Sequence, residues 1–297
     1  MCFNVYFTRV ILGNSLDNQL KVSVIVPTYN EIKSIGPCLD ALFDQTLAPD
    51  EILVVDNNST DGTPEYVSKH YKKVKLIFES TQGLIPARNR GFNDAKHYVM
   101  GRIDADTIVE KDWVEKLHEI FADPEAAAAT GPSYAYDIPV SHKLVKKGMK
   151  FWQHTTNELI AGHKMLWGSN MAITKDCWDV IKNSACNKPD ILEDLDLGIH
   201  ISEAGLKIVF DEDLITGISA RRFNTSRKDI LPYLKMWPET YRLHGQLKTA
   251  RSAEALMRAT LLIHAPAYLI LRGYDPDSKS FSLKKFMENE KYDKGNP

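Results

Sequence analysis

At 297 residues, 43% hydrophobic and 26% charged, the chain has the composition of a folded globular protein, with length for one large domain or two small ones. A formal net charge of -2 excludes the basic excess that nucleic-acid binders carry, so no nucleic-acid partner is expected. Cys2, Cys38, Cys177 and Cys186 stand apart, with no Cys-x-x-Cys pair and no nearby histidine at zinc spacing; this favours ordinary thiols in a reducing compartment over a disulfide framework.

Residues 1–20 carry Asn4, Arg9, Asn14 and Asp17 among their apolar positions and lack a basic start with a clean apolar core. They are expected to form an N-terminal extension, not a signal peptide. Val22-Ser23-Val24-Ile25-Val26 is a nearly continuous β-branched run, the pattern of a strand buried on both faces. Ile32 to Phe43 has helical spacing, Glu51 to Asp56 reads as a second strand, and Asn57 to Thr63 is turn chemistry. Thr63-Pro64 can start a helix through His70. A strand at 74–78, a helix at 83–95, a strand at 98–103 and a helix from Val109 to Phe121 complete the first half. Strands alternating with helices at this pitch predict crossover units and a mainly parallel sheet flanked by helices, an α/β fold.

Ligands of such sheets sit beyond the carboxyl ends of the strands. Three ends carry polar clusters here: Thr28-Tyr29-Asn30-Glu31, Asp56 to Asp61, and Asp104-Ala105-Asp106. Asp-x-Asp alone fits a solvated turn, but three clusters facing one crevice point to a site. Neither Gly-x-Gly-x-x-Gly nor a P-loop signature occurs, so phosphate would need a metal on the aspartates, or Arg88, Arg90 and Arg102.

The second half predicts a strand at 126–132, a long helix from Val140 to Ile160, a strand opened by Trp167 to Asn170, and a short helix from Asp176 to Ile181. Lys143, Lys146, Lys147 and Lys150 share one face of the long helix, which reads as a solvated face or as a contact for an anionic acceptor or membrane. Glu193 and Asp194 open a further helix, where acids also complement the helix dipole. Strands are expected at 208–210 and 214–220, and residues 226–271 are helical and amphipathic. Ala259 to Leu271 is the most apolar late stretch. It is shorter than the ~20 residues a bilayer span needs and contains His264 and Pro266, so a buried or surface-lying helix is expected.

Pro27 to Glu31, Val54 to Thr63, Ala87-Arg88-Asn89-Arg90-Gly91 and Asp104-Ala105-Asp106, in this order, resemble the opening of a family 2 glycosyltransferase. Gly168-Ser169-Asn170-Met171-Ala172 and Glu193-Asp194 resemble its acceptor-side motifs. The resemblance implies a GT-A nucleotide-sugar fold over residues 21–225, with a donor half to about 132, an acceptor half at 133–225, and a helical extension at 226–297. It implies a metal-dependent, inverting transfer of a sugar, most commonly from a UDP-sugar, to a glycan or lipid-linked acceptor. Pro27, Thr28, Tyr29, Glu31, Asp56 and Arg88 would hold the nucleoside, and Gly168, Ser169 and Asn170 would line the sugar pocket. Asp104 would lie near ribose and metal, and Asp106 would ligate Mg2+ or Mn2+ directly. Asp194 would be the catalytic base, with Glu193 beside it positioning the acceptor.

Hard carboxylate and diphosphate oxygens suit those cations better than zinc. No Gln-x-x-Arg-Trp follows Glu193-Asp194, which favours single-sugar transfer over polymer synthesis. Arg221, Arg222, Arg242 and His244 could close over the diphosphate, supply a further metal ligand, or form a packed basic cluster. A cytoplasmic location at the inner face of the membrane, with peripheral contact, is expected. Two rivals remain at this point: a non-catalytic nucleotide-binding module, and a haloacid-dehalogenase-like phosphatase with Asp104 as nucleophile. The latter wants Thr or Val where Ile108 stands.

Overall fold

The computed structural model describes residues 20–138, 147–148, 163–221, 225–275 and 280–283. The first half runs β1 (Val22–Thr28), α1 (Ile35–Phe43), β2 (Glu51–Asp56), α2 (Thr63–His70), β3 (Lys75–Phe78), α3 (Leu84–Asp94), β4 (Val99–Arg102), β5 (Ile108–Val109) and α4 (Trp113–Phe121). The second half runs β6 (Ala126–Thr130), β7 (Ser133–Ala135), β8 (Met171–Thr174), α5 (Lys175–Ile181), α6 (Glu193–Glu203), β9 (Lys207–Phe210), β10 (Thr216–Ile218), α7 (Arg227–Leu243) and α8 (Leu247–Gly273). The predicted helix at 140–160, with three of its four face lysines, lies outside the described residues, as does the extension before residue 20.

The central sheet has the order β3-β2-β1-β4-β8-β6-β9. All neighbours are parallel except β8, which runs antiparallel to both β4 and β6. A small sheet of order β5-β10-β7 lies apart from it.

The two-residue period of the strands divides the core between the faces of the sheet. Val22, Val24, Val26, Ile52 and Val54 pack with Leu39, Leu42, Trp113 and Leu117 from α1 and α4. The alternate residues Ile25, Leu53 and Val55 pack with Phe92, Trp178, Ile181 and Leu197 from α3, α5 and α6. Helices therefore cover both faces, and each fully buried aliphatic side chain contributes roughly 1.5–3 kcal/mol. A third cluster of Met165, Leu195, Ile199, Tyr241, Ala250 and Ala253 fastens α7 and α8 to α6.

Several boundaries differ from expectation for physical reasons. The helix expected from Val109 begins at Trp113, because Ile108 and Val109 pair with Gly217 and Thr216 instead. The helical pattern at 226–271 breaks into α7 and α8 at Gly245, whose φ of 69° favours glycine. Because α8 begins at Leu247, it is 27 residues long, so the length argument against a membrane span fails. By length and composition α8 could cross a bilayer, and only 18% of its most apolar window is buried.

Candidate active site

From β1 the chain moves outward through β2 to β3, then returns to place β4 on the other side of β1. A crevice opens at such a reversal, beyond the carboxyl ends of the strands. The loops after β1, β2 and β4 meet there.

Loops β1–α1 and β2–α2 clasp one another. Asn30 N–H donates to Ser59 Oγ at 2.9 Å, Thr60 N–H to Asn30 Oδ1 at 2.8 Å, and Glu31 N–H to Thr63 Oγ1 at 3.0 Å. Asn30 takes a φ of 53° to allow this, in a region asparagine tolerates better than most residues. Thr28 and Asp56 stand side by side on adjacent strands, with Pro27 one register step behind opposite Val55 and Tyr29 just beyond the strand end. Asp56 is buried. Its Oδ2 accepts from Ser59 N–H at 3.2 Å, while its Oδ1 is buried with no hydrogen-bond partner. A buried lone acceptor of this kind is costly unless a ligand satisfies it.

Arg102 ends β4 and is the centre of the site. Its guanidinium, fully buried, lies 2.9 Å from Asp104 Oδ1 and 3.1 Å from Glu193 Oε1. Glu193 Oε2 takes Arg88 Nη1 at 2.8 Å, and the Glu193 carbonyl takes the same group at 2.9 Å. One carboxylate from α6 thus bridges an arginine from α3 and one from β4. Burial lowers the Arg102 pKa, but Asp104, Glu193, Asp194 and Asp106 together raise it above the ordinary value. Arg88 shifts the other way: burial dominates, Glu193 offsets it only in part, and Arg102 repels it.

Asp194 sits next to Glu193 in the first turn of α6. Gly168 N–H donates to its Oδ2 at 2.7 Å, and Leu195 N–H to its Oδ1 at 2.8 Å. Its pKa is pushed up to about 6, first by burial and then by the Glu193 charge, against the pull of the Gly168 N–H and Arg102. Gly168 is where it is because nothing larger fits: a Cβ there would stand 1.6 Å from Arg102 Nη1.

Asp106 and Glu31 share Arg221. Its Nη2 lies 2.7 Å from Asp106 Oδ2 and 2.6 Å from Glu31 Oε1, and its Nη1 reaches Glu31 Oε2 and Ser34 Oγ. The donor chemistry of Asp104 and Asp106 fits a hard divalent cation such as Mg2+ or Mn2+, and the Asp104 side chain remains 42% exposed. Arg221 already sits on Asp106 Oδ2, so a cation taking that oxygen would compete with it.

Three of the candidate residues have their polar groups taken up by protein partners. Arg88, expected at the donor, is fully buried against Glu193 and Asn89 Oδ1, so it braces the site from behind. Asn170, expected in the sugar pocket, is fully buried; its amide accepts from Trp113 Nε1 and donates to the Pro132 and Leu214 carbonyls. Glu193, expected to position the acceptor, has both carboxylate oxygens engaged by arginines. Ser169 Oγ lies 3.2 Å from Ser133 Oγ. Of the basic set at 221–244, Arg222 lies outside the described residues, Arg242 pairs with Glu239 and Glu254, and His244 pairs with Asp196. Arg90 pairs with Asp94 on the surface of α3. Arg102, a candidate for phosphate from its sequence position alone, also joins Asp104 to Glu193, a link that only the tertiary fold makes visible.

The family described as glycosyl transferase family 2 matches residues 23–179. Glycosyltransferase GlyA of Streptococcus pneumoniae serotype 4 is 32% identical over 120 residues, covering 39% of this chain and 17% of GlyA. Glycosyltransferase AglE of Haloferax volcanii is 38% identical over 101 residues, covering 32% of this chain and 33% of AglE. The matches thus span less than half the length of these curated relatives. Residues 1–349 of S. aureus TarS in complex with UDP-GlcNAc share the fold, with a TM-score of 0.51 and 16% identity over 74% of this chain and 66% of that one.

Proposed function

Because the chain belongs to glycosyl transferase family 2, we propose that it moves a single sugar, with inversion, from a nucleoside-diphosphate sugar to a hydroxyl of a glycan or lipid-linked acceptor. The observation that carries this reading is the meeting of two halves at one guanidinium: Arg102 touches Asp104 after β4 and Glu193 on α6, with Asp194 beside it. Family membership leaves no support for the phosphatase reading.

A UDP-sugar is the donor this reading favours. The unpartnered Asp56 Oδ1 would accept the imide N–H of uracil, and Thr28, Tyr29 and Glu31 line the loop beside it. Asp104 and Asp106 would hold Mg2+ or Mn2+, which when bound neutralises the charge developing on the departing diphosphate. Arg102 keeps a fixed positive charge at the same crevice, in surroundings where such charges act strongly. Asp194 is the general base. Ionised at neutral pH yet more basic than an ordinary carboxylate, it receives the acceptor hydroxyl's proton, while the Gly168 N–H fixes its orientation. Single transfer is favoured because Gln-x-x-Arg-Trp does not follow Glu193-Asp194.

We further place the protein at the inner face of the membrane. Leu262, Ile263, Leu269 and Ile270 are exposed on α8, between Arg258 and Arg272. Flotation with anionic vesicles tests this part, and a protein that stays at the bottom removes it.

A screen of nucleotide sugars for slow hydrolysis with Mn2+ tests the main reading without knowledge of the acceptor. A UDP-sugar should be consumed, and chelation should stop it. Absence of both hydrolysis and binding for every donor would overturn the proposal.

A further inference from the structure

Away from the crevice, four side chains that are distant in sequence come together. Cys186 lies on the loop after α5, Asp196 and His200 one turn apart on α6, and His244 at the α7–α8 junction. One ligand atom from each lies within 4.8 Å of all the others. The sequence reading found no histidine near any cysteine, because the proximity exists only after α7 folds back on α6.

The contacts have the character of a ligand set. Asp196 is fully buried, and its Oδ2 is held by the Cys186 N–H at 2.9 Å. Its Oδ1 lies 2.8 Å from His244 Nε2 and 3.6 Å from His200 Nε2. His200 Nε2 is buried and makes no hydrogen bond, although the ring faces His244 edge-on with centroids 4.8 Å apart. On its other side, His200 Nδ1 stands 3.9 Å from the Glu203 carboxylate, near but beyond hydrogen-bond reach. A buried imidazole nitrogen facing a buried carboxylate, without a bond of its own, is an arrangement that an ion completes.

We propose that Cys186, Asp196, His200 and His244 bind zinc. One sulfur, two imidazole nitrogens and one carboxylate oxygen form a borderline-soft tetrahedral set suited to Zn2+ and ill suited to Mg2+ or Mn2+. Bonds of ~2.0–2.3 Å would set the ligand atoms roughly 3.3–3.8 Å apart, so the widest pair closes by about 1 Å while Asp196 Oδ1 and His244 Nε2, now 2.8 Å apart, open by about 0.5 Å. Binding would release the thiol proton and leave both imidazoles neutral at the ligating nitrogens. With four protein ligands the site has no open position, the mark of a structural zinc. It would pin α6, whose first turn carries Glu193 and Asp194, to the loop before it and to the α7–α8 hairpin. This site is independent of the aspartates at the donor crevice.

The test measures metal in the purified full chain by mass spectrometry, alongside an Asp104→Asn/Asp106→Asn double variant, Cys186→Ser and His244→Asn. Stoichiometric zinc is expected in the wild type and in the double aspartate variant, and its loss in the other two. Chelation should lower Tm in the wild type but not in Cys186→Ser. Should His244→Asn fail to fold, cobalt substitution of the wild type decides: a thiolate-to-cobalt charge-transfer band is expected, absent in Cys186→Ser. A folded wild-type chain that takes up neither zinc nor cobalt overturns the proposal, as does zinc retained by Cys186→Ser or lost with the two aspartates.

Discussion

In the half proposed to bind the donor, four parallel strands lie side by side, and each candidate group follows its own strand within a few residues: Glu31 after β1, Asp56 at the end of β2, Asp104 and Asp106 after β4. In the half proposed to hold the acceptor, β8 runs against its neighbours, and the candidate groups reach their partners across 26 to 105 residues of chain. Asp194 is fixed by Gly168, and Glu193 by Arg88. The donor half is a series of local units with carboxylates at their ends. The second half joins the first through β4–β8 pairing, a shared apolar core and the Glu193 bridge to Arg88 and Arg102. Damage should therefore differ in kind: donor-side changes should weaken nucleotide binding, and changes at the joint should cost turnover or stability.

The largest effect is expected at Asp194. Asp194→Asn removes the base while keeping its shape and the Gly168 contact, so kcat should fall by ~100- to 10,000-fold in a steady-state transfer assay. A fall confined to KM would move Asp194 to the donor side of the comparison.

Glu193→Ala tests the joint itself. The side chain is 8% exposed and bridges two buried arginines, and removing one partner of such a pair costs about 3–5 kcal/mol. Urea denaturation should show that loss. A stability change within error would mean that the two halves do not depend on this bridge.

Gly168→Ala drives a methyl group into Arg102, with an expected cost of about 1–3 kcal/mol and a loss of activity larger than its loss of stability, because the same residue holds Asp194. Arg90→Ala supplies the baseline. Its surface pair with Asp94 should be worth under about 0.5 kcal/mol and leave donor KM unchanged. A larger effect on KM would return Arg90 to the phosphate-binding set.

The same division explains what could be read from the chain. Strand β1 announces itself because Val22, Val24, Val26 and Ile25 are buried on alternating faces, and β2 and α2 have the expected limits, since hydrophobic period and turn residues are local signals. Asp56, Asp104 and Asp106 were legible as candidates because a strand end is visible in sequence. The burial of Asn170 and the bridging of Glu193 were not, because Trp113, Leu214, Arg88 and Arg102 reach them only through tertiary folding. Cys186 and His244 met for the same reason. The start of α8 was not legible because apolar content marks only its second part, while the helix itself begins at Leu247.

The most direct measurement is the rise in Tm on adding UDP with Mn2+, taken side by side for wild type, Asp56→Asn and Asp194→Asn. Ligand binding to the native state raises Tm by mass action. Loss of a charge-assisted contact at Asp56 is worth about 1.5–3 kcal/mol, roughly a 10- to 150-fold weaker affinity. The account predicts that the UDP shift shrinks in Asp56→Asn and persists in Asp194→Asn. A full shift in Asp56→Asn together with its disappearance in Asp194→Asn would contradict the division of labour between the two halves.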